Sequence, residues 1–333
     1  MATIKDIAES ANVSIATVSR VLNNDESMSV SENTRKKIFQ AADKLGYTRY
    51  KKNIFSKTKT KKIAIVQWYT EQEEVNDLYY YSIRIGIERR AQELSYEIIR
   101  IFNDSPLTNA NGAEGIIAIG KYSNSQINEL EKISDYLIFV DSDTLNTGHT
   151  CITTDFTNSV TNVINHFLSN NLTKIGIITG EEYTADHEIP LIDPRFYTFK
   201  NYLSQKKLYQ SKYVFIGKFS TEDGYNLMKQ AIQDCQDDFP QAFFIASDAL
   251  AIGALRALQE KGIKVPEQVS IISFNDTVVA KQVYPPLSSV TVFTEEMGIT
   301  AMDTLNQHIE SFTPKVPVMI KLATSLTLRG SSK

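Results

Sequence analysis

The strongest constraint on the fold of this chain lies at residues 14–22, which read SIATVSRVL. Ser14 is a favourable helix N-cap, and the apolar residues after it recur at helical spacing, so a short amphipathic helix is predicted. Just upstream, Thr3 can cap a helix over residues 4–10, with Asp6 as its capping-box partner. Because only three residues separate the two helices, the pattern predicts a helix-turn-helix. The alternative is a plain helical hairpin inside a larger core.

Charge is divided unevenly along the chain. Residues 1–62 carry 13 Lys and Arg against 6 Asp and Glu, although the net charge of all 333 residues is −4. A basic head on an acidic body is typical of a protein that meets a polyanion through the head alone. The predicted helix-turn-helix lies in this basic stretch, which favours nucleic-acid binding over a role as a core hairpin.

Membrane insertion and secretion are not expected from the sequence. No run of about 18 apolar residues is present, so no membrane span is predicted. The first residues show no signal-peptide pattern. The two cysteines, Cys151 and Cys235, are too few for a disulfide framework and favour reduced thiols in the cytoplasm.

The sequence pattern changes at Lys62, where short apolar segments typical of strands begin to alternate with helical segments. This alternation predicts βαβ units and parallel sheets. The pattern starts again at residues 174–180, KIGIITG, so two similar doubly wound halves are expected. The predicted fold is a small all-α helix-turn-helix head joined by a hinge to an α/β body of two doubly wound lobes.

The stretch over residues 3–24, TIKDIAESANVSIATVSRVLNN, resembles the opening of the lactose/galactose repressor family of bacterial transcription factors. In that family the second helix lies in the major groove of DNA. Position by position, the resemblance implies base contacts by Ile15, Ala16 and Arg20. It implies phosphate contacts by Thr3, Ser14, Thr17, Ser19 and Asn23. Side-chain chemistry agrees, because arginine can donate two hydrogen bonds to guanine and small apolar groups can pack on the thymine methyl.

The linker over residues 48–62 reads TRYKKNIFSKTKTKK and departs from the family's pattern. Family members form a short hinge helix here on operator DNA, and a Pro-Asn pair usually stands near its start. Arg49 and Tyr50 occupy those two positions in this chain. Ile54 or Phe55 could part a base step as an apolar wedge in the minor groove. The alternative is a basic tether that adds only attraction to phosphates.

The likeness continues through the body, which resembles periplasmic sugar-binding proteins with two lobes and a cleft. In the family the chain crosses between the lobes three times, and the crossings are expected here near Thr157, Ser289 and Lys315. The expected domains are a helix-turn-helix domain over residues 1–47, a basic hinge over 48–61 and the body over 62–333. Within the body, lobe 1 is expected at about 62–157 and 290–316, and lobe 2 at about 158–289 and 317–330.

Candidate ligand-binding residues follow several predicted strands, because ligands of open α/β sheets bind at the carboxyl ends of strands. The resemblance matches Asp155, Arg195, Ser247 and Asp248 to effector-binding positions of the family. It matches Asn275 to a position where the family has aspartate. The full set expected to bind the effector is Trp68, Tyr69, Tyr79, Tyr80, Asp155, Arg195, Ser247, Asp248 and Asn275. Carboxylate, amide and guanidinium groups beside aromatic faces suit a sugar.

Several candidates have a purely structural alternative. Asp248 could cap its helix, Arg195 could form a surface ion pair, and one or two of the tyrosines at residues 79–81 could pack in the core. Asp141, a lone acid at the end of a predicted strand, is left outside the candidate set.

An enzyme of doubly wound fold is the main alternative function. The sequence has no dinucleotide-binding glycine motif, phosphate-loop lysine, zinc-protease motif or serine-hydrolase motif, and its four histidines lack metal-ligand spacing. No cofactor or metal is therefore expected. The sequence predicts instead a transcriptional repressor that binds a pseudo-palindromic operator as a homodimer and is released by a small sugar. Resemblance to galactose-operon repressors implies galactose or a related sugar, and the alternatives are a nucleobase or phosphoprotein co-repressor, or an activator.

Overall fold

The computed structural model describes residues 3–22, 30–45, 47, 61–76, 78–311 and 316–333. The chain divides into two compact units, Met1–Lys61 and Lys62–Lys333, which are called the head and the body below. Asn23, Phe55 and the predicted hinge lie outside the described residues, so the expectations for them stay predictions.

The described part of the head contains three helices, α1 (Ile4–Ala11), α2 (Ile15–Leu22) and α3 (Glu32–Lys44). They pack around a small apolar core. The buried core residues are Ile7, Ala8, Ala11, Val18, Val21, Leu22, Ile38, Ala41 and Ala42. The helix-turn-helix predicted from apolar spacing is therefore present, and the apolar residues at helical spacing after Ser14, namely Val18, Val21 and Leu22, are buried.

Local capping explains why α1 and α2 begin where they do. The Asp6 amide donates to Thr3 Oγ1 at 3.3 Å and the Thr3 amide donates to Asp6 Oδ2 at 2.7 Å, which completes the predicted capping box. Ser14 Oγ accepts from the Thr17 amide at 3.1 Å and caps α2. Asn12 ends α1 in the left-handed region at φ 54°, which turns the chain between the two helices.

The body follows the predicted alternation of strands and helices. Its strands are β1 (Lys62–Gln67), β2 (Glu97–Ile101), β3 (Gly115–Ile119), β4 (Leu137–Val140), β5 (Thr150–Thr154), β6 (Ile175–Gly180), β7 (Glu182–Tyr183), β8 (Pro190–Leu191), β9 (Val214–Gly217), β10 (Ala242–Ile245), β11 (Ser270–Asn275), β12 (Ser288–Thr291), β13 (Met319–Leu322) and β14 (Ser325–Thr327). Its α-helices are α4 (Glu71–Asn76), α5 (Leu78–Glu93), α6 (Asn124–Glu131), α7 (Phe156–Ser169), α8 (Pro194–Gln205), α9 (Thr221–Cys235), α10 (Asp248–Glu260) and α11 (Thr294–Ser311). Short 3-10 helices span Leu107–Ala110, Leu145–Thr147, Ser211–Tyr213, Gln236–Asp238 and Val278–Lys281.

Two six-stranded sheets form the two lobes. Lobe 1 has the strand order β13-β5-β4-β3-β1-β2, and all of its pairs are parallel. Lobe 2 has the order β14-β12-β11-β10-β6-β9, with β14 antiparallel to β12 at its edge. Strands β7 and β8 form a separate antiparallel hairpin after β6. The doubly wound, two-lobed architecture predicted from the sequence is therefore confirmed.

The third crossing between the lobes lies later than expected. Strand β13 pairs in parallel with β5, with Ile320 opposite Ile152, so residues 319–322 belong to lobe 1 rather than to lobe 2. The chain crosses only at residues 323–324, before β14 joins β12. The expectation of a crossing near Lys315 was wrong because an apolar strand is compatible with either sheet edge, and only the tertiary pairing distinguishes them.

Two pairs of helices cross at glycine, one pair in each lobe. Helices α5 and α11 meet at Gly86 and Gly298, where an added Cβ would lie 2.2 Å from a carbonyl oxygen of the other helix. Helices α9 and α10 meet at Gly224 and Gly253, where the same distances would be 2.1 and 1.9 Å. Backbones can approach this closely only where no side chain intervenes. The crossings hold α5 and α10 in place, and the first turns of both helices face the cavity described below.

Candidate functional site

A cavity of about 690 Å³ lies between the two lobes of the body. Lobe 1 contributes Tyr69, Leu78, Tyr79, Tyr80, Lys121, Asp141, Ser142, Asp143, Thr153, Thr154, Met319 and Lys321 to its wall. Lobe 2 contributes Phe156, Thr157, Glu182, Leu191, Ile192, Pro194, Arg195, Phe219, Thr221, Ser247, Asp248, Ala249, Ile252, Asn275, Thr277 and Val279. Its size is that of a small-molecule site, and much of its wall follows the carboxyl ends of strands.

Aromatic side chains form much of the lobe 1 wall. Tyr69 and Tyr80 meet edge to face with ring centroids 4.9 Å apart, and Tyr79 meets Tyr80 in the same way at 5.0 Å. Trp68, which was expected in the site, lies behind this wall and stacks on Tyr69 at 4.9 Å. The expectation that Trp68 lines the cavity is corrected, because its ring is covered by Tyr69 and by Lys121, whose Nζ lies 4.8 Å from the ring centroid.

Asp141 organises the tyrosines, although the sequence analysis left it out. Its carboxylate accepts hydrogen bonds from the hydroxyls of Tyr79 at 3.0 Å and Tyr80 at 2.8 Å, and from Lys121 Nζ at 2.7 Å. Burial and the nearby Asp141 charge raise the pKa of both tyrosines well above their ordinary value, so both hydroxyls stay protonated donors. Neither tyrosine is merely core, because both line the cavity while they hold this carboxylate.

A charged pair joins the two lobes at the cavity wall. Lys121 follows β3 of lobe 1, and its Nζ lies 3.4 Å from Oε2 of Glu182 in the hairpin of lobe 2. Burial alone would lower the pKa of Lys121, but Asp141 and Glu182 outweigh it and raise that pKa. Burial raises the pKa of Glu182, and Lys121 offsets only part of this effect. Sequence reasoning missed both residues, although each stands two residues after the end of a strand, β3 or β6, and the strand-end rule could have found them.

Arg195 is held rigidly at the start of α8. Its Nε donates to Asp193 Oδ1 at 2.8 Å, and its Nη1 donates to the Ala246 carbonyl at 2.8 Å. The guanidinium carbon lies 4.8 Å from the ring centroid of Phe219 and 5.4 Å from that of Phe274. Only 8% of the residue is exposed, which rules out the surface ion pair considered as its alternative. Burial opposes the charge, but Asp193 and Glu182 outweigh it and raise the pKa of Arg195.

Ser247 and Asp248 have structural roles besides lining the cavity. Ser247, rather than Asp248, caps α10 by accepting from the Leu250 amide at 3.2 Å. The Asp248 carboxylate accepts from Ser273 Oγ at 2.6 Å and from Ser289 Oγ at 3.0 Å. It also accepts from the amide of Thr277 at 2.6 Å and its hydroxyl at 2.8 Å. Asp248 therefore ties the loop after β11 to the neighbouring strands of lobe 2.

Asn275, the last residue of β11, precedes that loop and lines the cavity. Asn275 has φ 104° and the next residue, Asp276, has φ 57°, so two consecutive residues have positive φ in the left-handed region. Asp276 Oδ1 is paired with Arg329 Nη1 at 2.7 Å, which anchors the loop from its other side. The amide at position 275 can both donate and accept, so it suits a ligand hydroxyl.

Asp155 lies at the start of α7 and does not line the cavity. Its carboxylate accepts from the Asn158 amide at 3.2 Å and from Asn158 Nδ2 at 2.5 Å, so it serves as the N-cap of the helix. Its neighbours Thr154 and Phe156 face the cavity instead. The expectation that Asp155 reaches the ligand-binding wall is therefore corrected, because the capping geometry turns its side chain towards its own helix.

The pH dependence of stability tests the burial of Glu182. The folded protein holds the pKa of this residue above its ordinary 4.5, so it retains a proton that the unfolded chain has already released. Stability should therefore fall as pH rises from 4.5 through the raised pKa. We expect Glu182→Gln to remove this loss, so that its free energy of unfolding rises relative to wild type across that window and then levels off.

Urea denaturation from about pH 4 to about pH 8 measures this difference. Glu188→Gln, which changes an exposed glutamate of the same hairpin, is the matched control. A difference between Glu182→Gln and wild type that does not vary with pH would contradict the prediction.

The head presents the residues expected to read DNA on one face of α2. Ile15, Ala16 and Arg20 are exposed, whereas Val18 and Val21 of the same helix are buried. Ile15 is 51% accessible at the start of this helix, so its side chain is available for contact with a partner. Hydroxyls at the helix starts are already engaged, since Thr3 Oγ1 donates to Asp6 Oδ2 at 2.9 Å. Ser19 lies half-buried on the same helix.

Among the residues that the structure describes, no group of three or more His, Cys, Asp or Glu side chains could hold a metal ion. Within the same described ranges, no helix is long and apolar enough to cross a membrane.

A helix-turn-helix head and a two-lobed body with a ligand cavity together define a ligand-responsive DNA-binding protein. Residues 3–49 match the model of bacterial regulatory proteins of the lacI family, and residues 164–332 match a periplasmic binding protein-like domain. The chain is 51% identical to the HTH-type transcriptional regulator GalR of Streptococcus thermophilus over 100% of both chains. The chain therefore belongs to the lacI family of bacterial regulatory proteins. It is a DNA-binding transcriptional regulator rather than an enzyme.

Other relatives and solved structures agree with this assignment. The regulator GanR of Bacillus subtilis (strain 168) is 36% identical over 93% of both chains. A complex of the transcriptional regulator CelR with cellobiose superposes with a TM-score of 0.70, 21% identity and full coverage of both chains. The lac repressor dimer bound to operator and the anti-inducer ONPF superposes with a TM-score of 0.69 and 21% identity over 99% of both chains. At that identity, these two structures support the fold.

Proposed function

We propose that this protein represses a sugar-utilisation operon and leaves its operator when a small sugar, galactose or a related one, binds between its lobes. The observation that supports this most directly is the cavity wall, where aromatic rings, carboxylates, an amide and a guanidinium converge from both lobes. Planar donors and acceptors suit sugar hydroxyls, and the C–H faces of a sugar stack on rings. The names of the GalR relatives and the cellobiose in the CelR complex support the same class of ligand.

The proposed mechanism is a shift between lobe orientations. A sugar that touches both lobes binds most tightly to one relative orientation of the lobes. It can shift the equilibrium between two orientations only by the difference between its affinities for them. Lobe 1 follows the linker directly in the chain, at Lys62. In a homodimer, turning that lobe changes the spacing of the two linkers and hence of the two recognition helices. Because half-sites are spaced by about one DNA turn or a multiple of it, a small displacement lowers operator affinity.

A titration of the operator complex tests the proposed function. Galactose, lactose, cellobiose, adenine and guanine are added separately to the full-length protein on its operator, and release is followed by fluorescence anisotropy. We expect a sugar to release the protein and to bind the free protein in calorimetry. Release by a nucleobase would replace the proposed sugar effector with a nucleobase. Tighter operator binding with sugar would mean that the sugar strengthens repression instead of relieving it.

The proposed assembly is a homodimer that forms through the body, on a pseudo-palindromic operator in the cytoplasm. Two-fold symmetry of the protein requires matching symmetry of the DNA site. Sedimentation of the full chain at micromolar concentration should give a dimer mass. A stable tetramer or a monomer would contradict this assembly.

Arg20 is expected to contribute sequence preference rather than general affinity. A guanidinium that donates twice to guanine O6 and N7 is worth about 1–3 kcal/mol of discrimination, so Arg20→Ala should weaken operator binding by that amount and relax sequence preference. Affinity for random DNA should change much less. Equal weakening on operator and random DNA would make Arg20 a phosphate contact. Lys5→Ala, at an exposed position of α1, is the matched control for loss of one positive charge.

A further inference from the structure

The hairpin formed by β7 and β8 links the two lobes without a chain crossing. It belongs to lobe 2 in sequence, since it follows β6 directly. Its tip is nevertheless fastened to lobe 1. The Ala185 amide donates to the Lys121 carbonyl at 2.9 Å, and Asn103 Nδ2 donates to the Ala185 carbonyl at 3.0 Å. Ser123 Oγ donates to the Asp186 carboxylate, which the hydroxyl of Thr184 also holds within the hairpin.

Two of the three lobe 1 anchor points, Asn103 and Lys121, also hold the cavity wall. The backbone amide of Asn103 donates to the carbonyl of Tyr69 at 3.1 Å. Lys121 holds the hairpin through its carbonyl and through Glu182, while its Nζ donates to Asp141 and to the Tyr80 hydroxyl at 2.9 Å. Movement of the hairpin relative to lobe 1 would therefore disturb the wall that a ligand contacts.

The hairpin also lines the cavity itself, through Glu182 and Leu191. Ala185 and Thr184 at its tip are buried at 5% and 2% exposure, so its contact with lobe 1 is tightly packed. The arrangement of lobes that forms these contacts is thus the same arrangement that encloses the cavity from both sides. The hairpin contacts therefore favour one orientation of the lobes. A ligand that must touch both lobes favours the same orientation.

We propose that the β7–β8 hairpin is an inter-lobe latch, with Asn103, Ser123 and Asp186 as positioning residues that stabilise the effector-binding orientation of the lobes. This rests on the proposed function, in which sugar binding and operator binding favour different orientations. None of the three residues lines the cavity. They can therefore change effector affinity only by changing the fraction of molecules whose lobes are in the effector-binding orientation. Apparent affinity falls in proportion to that fraction.

The double variant Asn103→Ala/Ser123→Ala tests the latch in the full-length dimer. It removes two hydrogen bonds between the lobes and leaves the cavity lining intact, and Ser123→Ala also removes the N-cap of α6 within lobe 1. We expect the dissociation constant for galactose to rise about 5- to 30-fold. Operator affinity without sugar should stay equal or become tighter, since the competing orientation gains population. Weaker sugar binding without weaker operator binding is the signature of a latch, because general destabilisation would weaken both.

Asn306→Ala is the matched control, because it removes a hydrogen bond of similar kind, from the Tyr96 hydroxyl to Asn306 Oδ1 at 2.8 Å, within lobe 1. Hydrogen exchange of the Ala185 amide gives a readout that needs no sugar. It should be faster in the double variant than in the control. Galactose affinity within twofold of the control, parallel loss of operator affinity, or unchanged exchange at Ala185 would each overturn the latch. If wild-type protein binds none of the tested sugars, the proposed effector fails, and exchange at Ala185 still decides the latch.

Discussion

Arg195→Ala is expected to produce a repressor that stays on its operator at sugar concentrations that release the wild-type protein. The guanidinium is positioned by Asp193 and by the Ala246 carbonyl, and it is packed among aromatic rings at the cavity wall. Charge-assisted hydrogen bonds from such a preorganised fork to sugar hydroxyls are worth about 1.5–3 kcal/mol. Its loss should raise the sugar concentration for half-release by at least about tenfold.

The variant also leaves the Asp193 carboxylate buried without its ion-pair partner, which typically costs about 3–5 kcal/mol of stability. Arg195→Lys separates the two effects, because lysine keeps the positive charge beside Asp193 but loses the planar fork. We expect Arg195→Lys to unfold nearer the wild-type denaturant midpoint and still to need more sugar for release. Anisotropy on labelled operator measures release, and an unchanged midpoint in both variants would remove Arg195 from the site.

Asp248→Ala is expected to lower the free energy of unfolding of the body by about 3 kcal/mol or more and to abolish the response to sugar. It removes the acceptor of four hydrogen bonds, two from the buried hydroxyls of Ser273 and Ser289 and two from the half-buried Thr277. Each buried donor left without a partner costs about 1–3 kcal/mol, less where a hydroxyl can rotate to another acceptor. The loop that follows Asn275 should then lose its defined conformation.

Urea denaturation and galactose calorimetry on the same samples measure the two effects. Asp234→Ala, which changes an exposed acid on α9, should unfold at nearly the wild-type midpoint. A stable Asp248→Ala protein without sugar binding would make Asp248 a direct ligand-binding group. A stable protein with normal sugar binding would contradict both the structural and the functional role given to this carboxylate.

The cavity wall could be predicted only in part. Arg195, Tyr79, Tyr80 and Asn275 reach it as expected, because each stands near the carboxyl end of a strand or at the start of the following helix. The same rule did not separate Asp141 from Asp155, since both are acids that directly follow a strand. Asp155 has an asparagine three residues later with which it caps its own helix, whereas the partners of Asp141 lie on α5 and in the loop after β3.

The sequence by itself determined the features that depend on near neighbours. The capping of α1 and α2 joins residues three positions apart, and the apolar stripes of the head recur within one or two helical turns, so both could be recognised without a structure. The alternation of strands and helices likewise determined the doubly wound class of each lobe. Only the tertiary structure decided which sheet takes residues 319–322 and that Lys121 meets Glu182 across the lobes. These pairings join residues far apart in the chain through the packing of two sheets, and no local preference of either residue encodes its partner.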